Sequence, residues 1–226
     1  MSNAASPVSA SPAATRRPRE LAARALACRR GRRLLFRGLD MRLDSGSITW
    51  LRGRNGSGKT SLMRILAGLS APAEGEVTWN GEPLRRAEGA REGIVYIGHA
   101  NALKDDLTLA EAVTFLARMQ ALDDAPRRSR DALDRLGLAS RRDAPVRTLS
   151  QGQRRRGALA RLALDETPRT WILDEPYDAL DRDSVALLSA LIEAHAARGG
   201  AVLLTSHQSV DLHGADTLDL EPWLAA

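Results

Sequence analysis

Gly53-Arg54-Asn55-Gly56-Ser57-Gly58-Lys59-Thr60 has the spacing G-x-x-x-x-G-K-[ST] and stands between a strand-like run, residues 48–51, and a segment of helical periodicity. Strand, glycine-rich loop and helix in that order form a P-loop. The glycines let backbone N–H groups turn inward around phosphates, and the helix N-terminus adds favourable partial charge. Lys59 is placed to reach the terminal phosphates and Thr60 to ligate Mg2+.

Downstream of the loop, Leu62, Ile65, Leu66 and Leu69 recur at i, i+3, i+4 and i+7, the buried stripe of a helix over residues 59–69. Upstream, from Leu21, short strand-like stretches (34–36, 39–43 and 48–51) are separated by Gly and Asp, as in an antiparallel sheet. Another covers 76–79 and closes on Asn80-Gly81, a hairpin dipeptide. Residues 96–150 read as helical. Thr108 and Glu111 form a capping box, Val113, Leu116 and Met119 share one face, and a second helix is expected over 131–138. Two apolar runs, 170–173 and 201–205, flank an amphipathic helix over 184–197 that stops at Gly199-Gly200, the pattern of buried parallel strands. The sum is an α/β core preceded by a small antiparallel sheet and interrupted by a helical insertion.

Composition narrows the function. With 43% hydrophobic residues the 226-residue chain can bury one good core. A membrane span needs about 20 consecutive apolar residues, whereas the stretches 103–122 and 185–197 are broken by charge, so the chain alone is not expected to cross a bilayer. Residues 2–14 are almost wholly small residues and proline and read as a disordered leader. Cys28, the single cysteine, has no internal disulfide partner, and no signal segment is recognised, which makes the cytoplasm the default compartment. The net charge of +5 would invite a nucleic-acid reading. Residues 1–37, however, hold nine arginines against Glu20, so the remainder is mildly acidic and no nucleic-acid partner is expected.

The run Trp171-Ile172-Leu173-Asp174 ends an apolar strand in a carboxylate and is followed at once by Glu175. Beside a P-loop, Asp174 fits a role in holding Mg2+ through water, and Glu175 one in polarising an attacking water. Leu149-Ser150-Gln151-Gly152-Gln153, followed by the helical residues 154–164, resembles the LSGGQ signature of the ATP-binding cassette (ABC) ATPases. In that family two cassettes pack head to tail. The resemblance implies that Ser150 and Gly152 clasp the γ-phosphate held by a second copy's P-loop, so that the chain works as a homodimer on ATP and Mg2+. Ala179-Leu180-Asp181 is similar to the D-loop that meets the opposite cassette, and Thr205-Ser206-His207 to the H-loop, whose histidine binds the γ-phosphate and orients the catalytic glutamate. His207 also follows a buried strand, where a satisfied core histidine is the alternative. His195 and His213 are expected at the surface. The resemblance implies a RecA-like parallel-sheet core with an N-terminal antiparallel β subdomain and an inserted helical subdomain. The domain then spans 21–226 after a leader of 1–20, with the helical part at about 100–160.

Two positions depart from the family pattern. Where cassettes usually place an adenine-stacking aromatic, about two dozen residues before the P-loop, this chain has Arg30. Its guanidinium either stacks on the base or is solvated in an arginine-rich strand. His99 stands at the usual Gln of the Q-loop, and because Mg2+ prefers oxygen, metal sensing there is lost or passes to Asn101. The residues Tyr96-Ile97-Gly98-His99, Asn101-Ala102-Leu103-Lys104, the stretch 30–36 and Leu149-Ser150-Gln151-Gly152-Gln153-Arg154-Arg155-Arg156 are similar to the ATP-binding export proteins of cytochrome c biogenesis. That likeness implies a peripheral subunit on the cytoplasmic face of the inner membrane, working with a CcmB-like permease and other cytochrome c maturation proteins. Its ATP hydrolysis either moves haem or releases a haem-loaded chaperone. The rivals are a cassette for another substrate and a soluble ABC ATPase of DNA repair or translation. Against the latter, only about fifty residues separate His99 from Leu149, and there is one P-loop.

Overall fold

The computed structural model describes residues 20–208 and 210–225. Most of the expected leader, residues 1–19, lies outside them. In chain order the elements are β1 (Glu20–Arg30), β2 (Arg33–Asp44), β3 (Ile48–Arg52), α1 (Lys59–Leu66), β4 (Glu74–Trp79), β5 (Glu82–Pro83), α2 (Ala90–Gly93) and β6 (Ile94–Ile97). There follow α3 (Leu109–Met119), α4 (Ala125–Arg135), α5 (Gln151–Leu159), β7 (Thr170–Leu173), α6 (Arg182–Ala197), β8 (Ala201–Leu204) and β9 (Ala215–Asp219).

Two sheets result. The antiparallel one has the order β2-β1-β4-β5, and the other, β6-β7-β8-β3-β9, is parallel throughout. Residues 34–36 and 39–43 belong to one strand, β2, which carries an extra residue between the pairs Leu26–Leu39 and Cys28–Phe36. Gly38, at φ 71°, absorbs that bulge without a Cβ penalty. Residues 48–51 are not part of the antiparallel sheet, as their grouping in the sequence suggested. They pair in parallel with β8 and β9, because a short apolar run does not reveal which sheet will bury it.

Alternation along the parallel strands builds two cores. Trp50, Trp171, Leu173, Val202 and Leu204 face α3, α4 and α6, whereas Leu51, Ile172, Ala201 and Leu203 face α1 and the antiparallel sheet. A sheet covered on both faces needs strands that are apolar at every position, and β7 and β8 are buried throughout. Two expected stripes end early. Leu69 is 55% exposed because α1 stops at Leu66, and Met119, the last residue of α3, is 70% exposed. The helix expected over 131–138 is α4, which begins earlier with Pro126 in its first turn and ends before Gly137.

His195 corrects the surface assignment made from sequence. It is 1% exposed, lies flat on Trp171, and meets the Arg169 carbonyl through Nε2 at 2.8 Å. Gly200 makes room for the ring, since a Cβ there would overlap it. His213 is at the surface, paired with Glu193. Among the described residues no helix is long and apolar enough to cross a membrane.

Candidate nucleotide site

Parallel strands deliver their exits to one edge, and ligands of open α/β sheets bind there. The exits of β3, β6, β7 and β8 carry the glycine-rich loop, Gly98-His99, Asp174-Glu175 and Thr205-Ser206-His207. Nine residues singled out in the sequence line a single cleft of about 520 Å³: Arg30, Asn55, Gly56, Gly58, Lys59, Thr60, Asp174, Glu175 and His207. Gly58, at φ 105°, turns the chain into α1, a conformation other residues adopt only under strain. Lys59 Nζ folds back onto the carbonyls of Gly53 and Arg54, at 2.7 and 3.2 Å. Gly53 lies at the start of the loop, and Ser57 is buried with its hydroxyl unpartnered. Arg54 is tied at its N–H to the Glu221 carboxylate, 3.0 Å away.

At the exit of β7, Asp174 is 4% exposed and Oδ1 accepts the Thr205 hydroxyl at 3.1 Å. Glu175 adopts φ 50°, which for a residue with a side chain is a strained left-handed conformation. Its N–H donates to Thr205 Oγ1 at 2.9 Å. Its carboxylate accepts the His207 N–H at 3.0 Å and lies 3.6 Å from His207 Nε2. His207 is a half-exposed cleft residue rather than a buried core histidine.

Ser150, Gly152 and Asp181 do not line this cleft within one chain. Ser150 caps α5 in a full capping box: Oγ accepts the Gln153 N–H at 3.2 Å while Gln153 Oε1 accepts the Ser150 N–H at 3.0 Å. Gly152 abuts the carbonyl of Ala179, which a Cβ would approach to 2.7 Å. Asp181 caps α6, and its hydrogen bonds to Ser184 hold its carboxyl below the usual carboxylate range. His99 lies outside the cleft. It lines a neighbouring cavity of about 420 Å³ that also reaches Thr60, Asp174 and Asn101, and its Nδ1 is 3.4 Å from Asp178.

Two residues not singled out in the sequence contribute. Arg33 lines the cleft together with Arg30, so the cleft carries two guanidiniums. Arg155, on α5, is 3% exposed and reaches the carbonyls of Gly98, Asp174 and Glu175. Burial pushes its pKa down, opposed by Asp178, Asp174 and Glu175, but a guanidinium stays charged. The available signal was its register: Arg155, Leu159 and Leu162 lie at i, i+4 and i+7, so the arginine stands on the buried stripe.

Comparisons with known proteins agree with this geometry. A model of the ABC transporter family matches residues 36–178. The chain is 49% identical to the cytochrome c biogenesis ATP-binding export protein CcmA of Methylococcus capsulatus, over 86% of this chain and 94% of that protein. It is 46% identical to the protein of the same name from Nitrosospira multiformis, over 84% and 92%. Among solved structures, a putative ABC transporter ATP-binding protein from Pyrococcus furiosus superposes with a TM-score of 0.79 at 21% identity, over 91% of this chain and all of that one. An ATP-binding subunit of an ABC transporter superposes at 0.74 with 27% identity, over 83% and 79%. With its parallel core, glycine-rich loop and paired carboxylates, the chain belongs to the ABC transporter family as an ATP-binding, ATP-hydrolysing subunit of the CcmA type.

Proposed function

We propose that the chain is the ATPase subunit of an inner-membrane export complex for haem handling in c-type cytochrome biogenesis, driving a separate CcmB-like permease through closure of a homodimer around two ATP molecules. The observation that carries the reading is the cleft shared by Lys59, Thr60, Asp174, Glu175 and His207, in a chain that resembles CcmA proteins over most of its length.

Mg2+ keeps several waters and takes few protein oxygens, and the oxygens of Thr60 and Asp174 in one cleft fit that demand. Bound there, the ion supplies positive charge against the phosphates. Inward N–H groups of the P-loop and Lys59 hold the β- and γ-phosphates once Lys59 leaves the Gly53 carbonyl. Glu175 orients the attacking water and receives its proton on the carboxylate. His207 keeps that carboxylate in place through its N–H and offers its ring to the γ-phosphate. The chemistry is then chiefly positioning and charge stabilisation. Ser150 and Gly152 complete the site from the second copy, with Asp181 beside them at the dimer interface. Arg30 meets the adenine. His99 replaces the Q-loop glutamine as a reporter of closure, through Asp178, rather than as a metal ligand. The domain runs over 21–226 with a helical subdomain at about 100–160. On that subdomain α3 exposes Phe115 and Met119, with Lys104 over the Phe115 ring at 5.7 Å, an apolar patch suited to a membrane partner.

Affinity purification of the chain from membranes tests the reading. A co-purifying permease of the cytochrome c maturation system, with haem in the complex, is the expected result. A permease of a different transport system would overturn it.

A further inference from the structure

The proposed mechanism leaves one buried charge unused. Arg155 lies on α5, the helix capped by Ser150, yet its guanidinium points away from the signature and into the exits of β6 and β7. Nη2 donates to the carbonyls of Glu175 at 2.7 Å and Asp174 at 3.0 Å, while Nη1 donates to that of Gly98 at 2.9 Å. Weaker contacts at 3.4 Å reach the Pro176 and His99 carbonyls and Asn101 Oδ1. Glu175 is therefore held from both sides of its strained backbone, by Thr205 at the N–H and by Arg155 at the carbonyl.

From this we infer that Arg155 is a positioning residue for hydrolysis. It clamps the left-handed backbone of Glu175 and makes the direction of that carboxylate depend on where α5 sits in the same chain. The inference rests on the reading of Glu175 as the residue that orients water. A left-handed non-glycine residue persists only where its surroundings over-determine it. Five amide carbonyls of two loops converge on Arg155, and only a flat fork of donors spans them. Lysine offers a point charge and cannot bridge both loops. Because α5 begins at the signature, a shift of the helical region against the sheet is carried by one side chain to the catalytic carboxylate.

The test uses the full chain with Arg155→Lys and Arg155→Gln, beside Glu175→Gln as the reference. The expected result is a kcat lower by about 100-fold with ATP affinity within about threefold of wild type, since a misplaced catalytic group costs rate more than binding. In the nucleotide-free protein, amide exchange over residues 173–178 should be about tenfold faster while α1 and β8 keep their protection. If Glu175→Gln abolishes turnover but Arg155→Lys, folded, keeps kcat within about twofold of wild type, the clamp is wrong. If Glu175→Gln itself turns over normally, the reading of Glu175 is what fails, and the exchange measurement still decides whether Arg155 holds that backbone. Should neither Arg155 variant fold, Thr205→Val releases the other side of Glu175. Because Thr205 also bonds Asp174, the readout there is amide exchange over residues 173–178 rather than kcat. Protection retained through the Arg155 contacts supports the clamp, and exchange as fast as in an open loop overturns it.

Discussion

The imidazole of His195 lies on the indole of Trp171 with ring centroids 3.5 Å apart and planes 8° from parallel, which ties α6 to β7 through the core. The Arg169 carbonyl can only accept, so Nε2 carries a proton. Burial, reinforced by the nearby charge of Arg198, lowers its pKa to about 4 against an ordinary 6.5, although its hydrogen bond to Arg169 pulls the other way. Between those values the unfolded chain binds a proton that the folded chain refuses, so stability is complete above pH 6.5 and falls as the pH drops towards 4. The loss attributable to this residue is on the order of 3 kcal/mol. Denaturant titrations of wild type and His195→Gln at pH 7.5 and 5 check it: the variant should show a shallower loss over that interval.

Gly200 is adjacent in space to the same ring. Gly200→Ala drives a methyl into the imidazole and should cost about 1–3 kcal/mol through overpacking. The measurement is the denaturant midpoint at pH 7.5. Gly214→Ala, where a Cβ meets no atom within 4 Å but φ is 70°, serves as a comparison for backbone strain alone.

Glu175→Gln keeps the size and the backbone partners of the side chain while removing its capacity to take a proton. The variant should bind ATP with wild-type affinity, accumulate as an ATP-bound dimer in size-exclusion chromatography, and lose turnover by at least about 100-fold. Hydrolysis at the wild-type rate would exclude Glu175 as the group that orients water.

Arg30 and Arg33 line the cleft, and Arg30 is the residue expected from the sequence to stand in for an adenine-stacking ring. Arg30→Ala should weaken ATP binding by roughly 2- to 5-fold, the scale of an exposed cation–π contact, and Arg30→Tyr should restore it. Fluorescent-nucleotide titration at fixed ionic strength separates that loss from general charge. Unchanged affinity would assign Arg30 to the solvated surface.

Much of the fold was legible because its chemistry is local in the chain. The loop 53–60, Asp174-Glu175 and Thr205-Ser206-His207 each follow an apolar strand, and parallel pairing alone is enough to bring strand exits together. The capping box at Thr108 is a four-residue pattern and forms as read, with the Glu111 carboxyl held low by the Thr108 N–H. What escaped depends on neighbours distant in sequence. His195 has a place inside only because Gly200, the residue just before β8, has no side chain and a tryptophan from β7 lies alongside. Arg155 is one of three consecutive arginines, and composition does not say which of them turns inward. β9 was not expected, since the sequence Ala-Asp-Thr-Leu-Asp has little apolar character, and its place at the sheet edge explains why it needs little.

A last consequence lies in the cap of α5. Ser150 Oγ uses a lone pair to receive the Gln153 N–H, whereas a hydroxyl has one proton and two lone pairs. The bond that shapes the helix and a bond to an outside anion thus draw on different parts of one group. The helix can offer that proton to a phosphate on another molecule with its first turn already built, so docking there adds no cost of ordering the turn to the entropy lost on association.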